Sequence, residues 1–242
     1  MKLFTSCMKC TMQNPSSYVQ VGGFIPIQEN DLYYFKCVNG HHNLIVIQAF
    51  KFEILFESGL CAIRDKYYLE SVLSLTASLE RFYEFFVKIA MKANGITNET
   101  FENIFTSMSK QSERQYGAFI CAYGLLYKES PPLLLKNKFI EFRNKVVHKG
   151  FLPSEEEVLS YAQEVFNVIK NYYLKILLDY REIVVNCLME NNIKRRIDNK
   201  ELIDKLGVEI SLIAPNFVLS HISDLKDFTT SYEWVKTSVF YG

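Results

Sequence analysis

An excess of charge of either sign is missing from this chain: 27 lysines and arginines face 27 aspartates and glutamates. No global field therefore draws in a polyanion, and any contact with nucleic acid must rest on a local patch. Long apolar runs are missing too. Runs such as Leu44 to Ile47 and Leu133 to Leu135 are far shorter than the ~20 residues that span a bilayer, so no membrane association is expected. Near the amino terminus, Cys7, Lys9 and Cys10 stand where the apolar region of a signal peptide would lie, and a cytoplasmic location is expected. No glycine-rich phosphate loop supports a nucleotide-binding regulator.

What is present is apolar and well mixed. With 242 residues, 49% hydrophobic and 22% charged, the chain can bury one substantial core plus a small module, and a folded globular protein is expected. We expect three regions: a β-rich module over residues 1–57, a helical body over 58–190 and a carboxy-terminal extension over 191–242 packed on that body.

The first region carries metal-ligand spacing. Cys7 and Cys10 form a Cys-x2-Cys pair, and Cys37 is followed four and five residues later by His41 and His42. Zinc favours thiolate and imidazole, two hairpin-like knuckles can supply two ligands each, and Gly40 permits a tight turn, so Cys7, Cys10, Cys37 and His41 are the expected ligands, with His42 as the alternative to His41. Four protein ligands close a tetrahedral site, which makes such a zinc structural. The competing reading is a set of reduced thiols with both histidines exposed on a turn. Tyr18 to Ile27 and Leu32 to Lys36 read as strands, and Leu44 to Phe56 as a strand pair or one bent strand, which together suggest a zinc ribbon. Cys61, Cys121 and Cys187 stand in apolar surroundings and are expected in the core.

After Gly59 the periodicity becomes helical. Leu69, Val72, Leu79, Phe82, Phe86 and Ile89 mark one long helix. Phe101 to Tyr127 predicts two helices around Gly117, or one interrupted helix. From Pro131 a helix runs to a stop at Gly150, and Ser154 with Glu157 opens a last long helix to about Met189 as a capping box. Short joints between four or five such helices predict an antiparallel bundle. Lys194-Arg195-Arg196 is a small basic cluster, read as solvated surface or RNA docking. Trp234, Phe240 and Tyr241 suggest a tail pinned onto the bundle.

The last turns of the Pro131 helix hold Arg143-Asn144-Lys145-Val146-Val147-His148. Arginine can hold a phosphate through its forked guanidinium, and histidine changes charge near neutral pH, so the pair supplies phosphate clamping and proton transfer. Asn144 and His148 share a helix face, whereas Arg143 and His148 diverge by roughly 140°. One copy also has a single histidine in the motif, while strand cleavage uses a base and an acid. A two-fold dimer would bring two histidines and two arginines into one cleft.

Over roughly residues 58 to 190 the chain resembles the HEPN superfamily, in which nuclease members carry Arg-x4-6-His, often with Asn directly after the Arg. Arg143, Asn144 and His148 match that motif. The resemblance implies a mainly α, HEPN-like antiparallel bundle, here preceded by a small β-rich zinc ribbon. It implies a metal-independent endoribonuclease with a composite site at a homodimer interface. It also implies a carboxylate facing the motif, for which Glu80 is the candidate. By analogy it suggests a toxin or antiviral-defence effector acting on host or viral RNA, restrained by an antitoxin or regulatory partner. The alternative is a non-catalytic RNA- or protein-binding module.

Overall fold

The structure, a computed structural model, describes residues 1–14, 22–28, 32–108, 111–222, 227–238 and 241. The chain is mainly helical with a small amino-terminal β region. It divides into two compact units, Met1–Ala49 with Cys187–Asn216 and Lys236–Gly242, and Phe50–Asn186 with Phe217–Val235. The residues expected to form one carboxy-terminal extension are thus shared between both units. None of the described helices is long and apolar enough to cross a membrane.

In the first unit, β1 (Lys2–Ser6) pairs antiparallel with β2 (Gly22–Pro26), matching Leu3 with Ile25. Between them lies the short helix α1 (Met8–Gln13). Of the strand expected from Tyr18 to Ile27, Tyr18 to Val21 lie outside the described residues. A second sheet orders β3 (Leu32–Lys36), β4 (His42–Ile47) and β5 (Ile210–Ile213), with β3 antiparallel and β5 parallel to β4. The central strand shows why Leu44 to Ile47 lacks polar alternation: Leu44, Ile45 and Val46 are all fully buried, as befits a strand covered on both faces. Leu32, Leu44, Val46 and Ile210 make its core, with Ile203 and Leu206 of α9 (Lys200–Leu206) packed against them. Tyr241 bridges to Leu3 in this unit, while Trp234 is half-buried in the other and Phe240 lies outside the described residues.

The expected strand from Leu44 to Phe56 is corrected: it stops at Ile47, and α2 (Lys51–Arg64) begins four residues later. The reason is local, because the Glu53 carboxylate accepts the Phe50 backbone N–H at 2.7 Å and so satisfies a donor at the helix start. α2 packs closely on α3 (Tyr68–Ala93), where a Cβ on Gly59 would lie 2.7 Å from Leu75 Cγ. In the second unit α3 is the centre, touching α2, α4 (Asn98–Met108), α5 (Ser112–Tyr127), α6 (Asn137–Lys149) and α7 (Glu155–Asp179). Its core is aromatic: Phe52, Phe82, Phe86, Phe119, Tyr123 and Tyr172 are almost fully buried, and Phe86, Phe119 and Tyr172 meet edge-on at 4.9 to 6.1 Å. Each such side chain contributes about 1.5–3 kcal/mol by burial.

Three helix boundaries differ from the expected ones. Gly117 lies inside α5, and the break falls between Met108 and Ser112. α6 starts at Asn137 rather than Pro131, because Tyr172 Oη accepts the Leu133 N–H at 3.0 Å and donates to the Leu133 carbonyl, holding that backbone outside a helix. The last long helix is two, α7 ending at Asp179 and α8 (Arg181–Asp198) following. Its start is as expected: Ser154 Oγ accepts the Glu157 N–H at 3.3 Å, and Glu157 Oε2 accepts the Ser154 N–H at 2.9 Å. Cys61 and Cys187 are buried, but Cys121 is exposed on α5, which corrects its assignment to the core.

Candidate metal centre and motif cleft

In the first unit the ligand atoms of Cys7, Cys10, Cys37 and His41 all lie within 4.8 Å of one another. Cys10 Sγ is 3.9 Å from Cys37 Sγ and 3.2 Å from His41 Nδ1, and Cys7 Sγ is 3.7 Å from the same nitrogen. Bond lengths of ~2.3 Å to sulfur and ~2.0 Å to nitrogen in a tetrahedron require S···S near ~3.8 Å and S···N near ~3.5 Å, so the quartet fits a single ion. One half of the site differs from expectation. Cys7 caps α1 and Cys10 sits one turn inside it, so the first pair is a helical turn and not a hairpin-like knuckle.

The second pair is the tight turn foreseen from Gly40. Gly40 has φ +82°, its N–H donates to the Cys37 carbonyl at 2.9 Å, and the Cys37 N–H donates to the His41 carbonyl at 3.0 Å. His42 points elsewhere, with Nδ1 at 2.7 Å from Tyr34 Oη and its ring stacked on that tyrosine. Burial pushes the Cys7 thiol up, but the backbone N–H of Cys10 and the side chains of Asn43, His41 and Cys37 outweigh it and hold the thiol at about 6. A low thiol pKa favours the thiolate that metals bind. Asn39 Nδ2 donates to Cys10 Sγ at 3.2 Å, a supporting contact that the ligand spacing did not reveal.

The motif lies in the second unit. α6 ends where Gly150 takes a left-handed φ of +66°, and His148 and Lys149 fall in its last turn, where positive charge meets the helix dipole. Arg143 and Asn144, both half-buried, line a cleft of about 140 Å³ with Glu80 and Tyr83 of α3, Tyr116 of α5 and Tyr161 of α7. Glu80 and Arg143 therefore meet in one cavity. Burial pushes the Glu80 carboxyl up, while the charges of Arg143 and then Arg81 pull it back down. Arg81 itself is engaged with Glu84 at 2.6 Å and Gln115 at 3.1 Å. Among the described residues the Arg143 guanidinium makes no hydrogen bond or salt bridge.

His148 is not brought into this cleft. It is exposed on the final turn of α6, outside the lining residues, and Phe151 and Leu152 just beyond it are exposed as well, at 40% and 77%. The sequence reading missed Glu113, Tyr116 and Tyr161 as cleft residues. Helical spacing could have put Glu113 and Tyr116 on one face, but nothing local indicates which helix that face meets. Of the basic cluster, Arg195 reaches the Ile47 carbonyl at 3.4 Å, while Lys194 and Arg196 are exposed. No protein-family model matches the chain, and no curated protein and no solved structure matches it.

Proposed function

We propose that the chain is a metal-independent endoribonuclease of HEPN type, acting as a homodimer, with one structural zinc held by Cys7, Cys10, Cys37 and His41. The observation that carries the reading is the half-buried Arg143 guanidinium, without a hydrogen-bonded partner among the described residues and set beside Asn144 in a cleft. A half-buried guanidinium without a hydrogen-bond acceptor has donors to spare, and a phosphate would accept from them in a charge-assisted, bidentate way. Glu80 acts as a positioning residue, since its carboxylate faces the same cavity and would steer the guanidinium. The soft donor quartet suits zinc, and four protein ligands leave no open position for catalysis.

The cleavage step follows from two histidines. One His148 takes the proton of the ribose 2′-hydroxyl, and the 2′-oxygen attacks phosphorus. As the bond from phosphorus to the 5′-oxygen breaks, His148 of the second copy protonates the leaving oxygen, and the product is a 2′,3′-cyclic phosphate. Arg143 stabilises the charge that builds on the phosphate. Exposure of His148 together with Phe151 and Leu152 leaves this end of α6 open to a second copy. By analogy with the family, the target is host or viral RNA in a toxin or defence setting.

The test is cleavage of labelled RNA with and without a chelator. We expect His148→Ala to lower the rate about 10²–10⁴-fold and Arg143→Ala to abolish cleavage, with fold retained, and a 2′-deoxy sugar at the cut site to block it. Wild-type cleavage rates from folded His148→Ala protein would overturn the assignment. The position of His148 outside the cleft favours one other reading, a non-catalytic RNA- or protein-binding module. RNA retention without any cleavage would select it.

A further inference from the structure

Glu113 and Tyr116 lie one turn apart on α5, share a face, and line the same cleft as Arg143 and Asn144. Tyr116 is half-buried and its ring lies 5.7 Å from that of Tyr83, which backs it on α3. Glu113 is exposed and leaves its carboxylate oxygens open to a ligand at the cleft. The cleft has a volume of about 140 Å³, and its aromatic and aliphatic lining from Leu79, Tyr83, Leu135, Ile140 and Tyr161 suits a planar ring system. Tyrosine offers a flat face for stacking, and a carboxylate accepts two parallel hydrogen bonds.

We propose that this cleft is a guanine-binding pocket, with Tyr116 as the stacking platform and Glu113 as the acceptor for the base's N1–H and N2–H₂ donors. Guanine is the base that presents two adjacent donors on one edge. Adenine and cytosine each present one amino donor beside an acceptor nitrogen, and uracil presents a single N–H between two carbonyls. A carboxylate therefore pairs fully with guanine and meets lone-pair repulsion from the others. The proposal rests on the nuclease reading only for its consequence, that a base held here sets the neighbouring phosphate at Arg143 and makes cleavage guanine-directed. The binding itself needs neither His148 nor a dimer.

The experiment uses the full-length wild-type protein and fluorescein-labelled pentanucleotides UUGUU, UUAUU, UUCUU and UUUUU with 2′-fluoro sugars, which resist 2′-hydroxyl attack. Fluorescence anisotropy should give UUGUU an affinity roughly tenfold or more above the other three, the discrimination expected of one good bidentate contact. Glu113→Gln should bring the four sequences to within about twofold of each other. Tyr116→Ala should weaken UUGUU, and Tyr116→Phe should restore it, since the ring and not the hydroxyl is used. Equal affinity of wild-type protein for all four, no binding of any, or a guanine preference unchanged in Glu113→Gln overturns the pocket. A parallel assay on ordinary RNA separates the two claims. Cleavage without guanine preference removes the pocket and leaves the nuclease, whereas guanine-selective binding without cleavage removes the nuclease and leaves the pocket.

Discussion

The cysteine quartet and the Arg-x4-His motif were both legible as spacings, yet the fold treats them differently. The quartet closes completely, with four ligand atoms from two distant turns inside 4.8 Å. The motif closes only in part: Arg143 and Asn144 enter the cleft with Glu80, while His148 stays on the surface. The difference teaches that each ligand pair of a metal site is set by one local turn, whereas a side chain on a helix is placed by what packs against that helix. A metal site is also complete in one chain, and a two-histidine site is not.

Metal removal should break the comparison most strongly. Small zinc modules draw about 10–16 kcal/mol of apparent folding energy from the ion. Chelation, or Cys37→Ser, should therefore strip hydrogen-exchange protection from β3 and β4 while leaving α3 and α7 protected. The protein purified without chelator should carry one zinc per chain by elemental analysis, and unchanged protection after metal loss would refute a stabilising role.

The second prediction probes a buried charge in the helical unit. Glu53 is fully buried, and burial pushes its carboxyl up from 4.5 to about 7 despite hydrogen bonds from the Phe50 backbone, Ser220 and Tyr173. The folded state thus binds the proton more tightly than the unfolded state. The resulting stabilisation is complete below about 4.5 and is lost as pH rises through about 7. Urea denaturation should show the wild type losing about 3 kcal/mol relative to Glu53→Gln between pH 4 and pH 8. A constant difference across that range would count against it.

Smaller effects sharpen the contrast. Ser154→Ala removes the cap of α7 and should cost about 1 kcal/mol in a thermal melt. His148→Ala should change stability by less than about 0.5 kcal/mol, because the side chain is exposed. A large loss of stability in that variant would mean that His148 holds the fold, and lost cleavage could not then be ascribed to proton transfer.

Most of what carried over from sequence to structure is local, the meeting of the two cysteine-bearing turns being the exception. The Ser154 and Glu157 capping box reads directly from residue type, as do the stop at Gly150 and the turn at Gly40. The misread strand beyond Ile47 has an apolar texture that suits either a buried strand or a helix, and Glu53 tips it to helix through one backbone contact. The start of α6 depends on Tyr172, thirty-nine residues away in sequence from Leu133, which no local pattern reports. The same holds for the face of α5 that meets Arg143. Glu80 was legible as a candidate only through the family resemblance, and its burial beside Arg143 is a property of packing.

The parallel pairing of β4 with β5 imposes an order on the birth of the molecule. Strands β3 and β4 leave the ribosome early, as do Cys7, Cys10, Cys37 and His41, but Ile210–Ile213 emerges only after the whole helical unit through α7 has been made. Until then β4 keeps one edge open, and an open strand edge is a template for pairing with another chain. A metal bound early would hold the growing module in register through that interval, and the quartet would then serve as a clasp until β5 arrives.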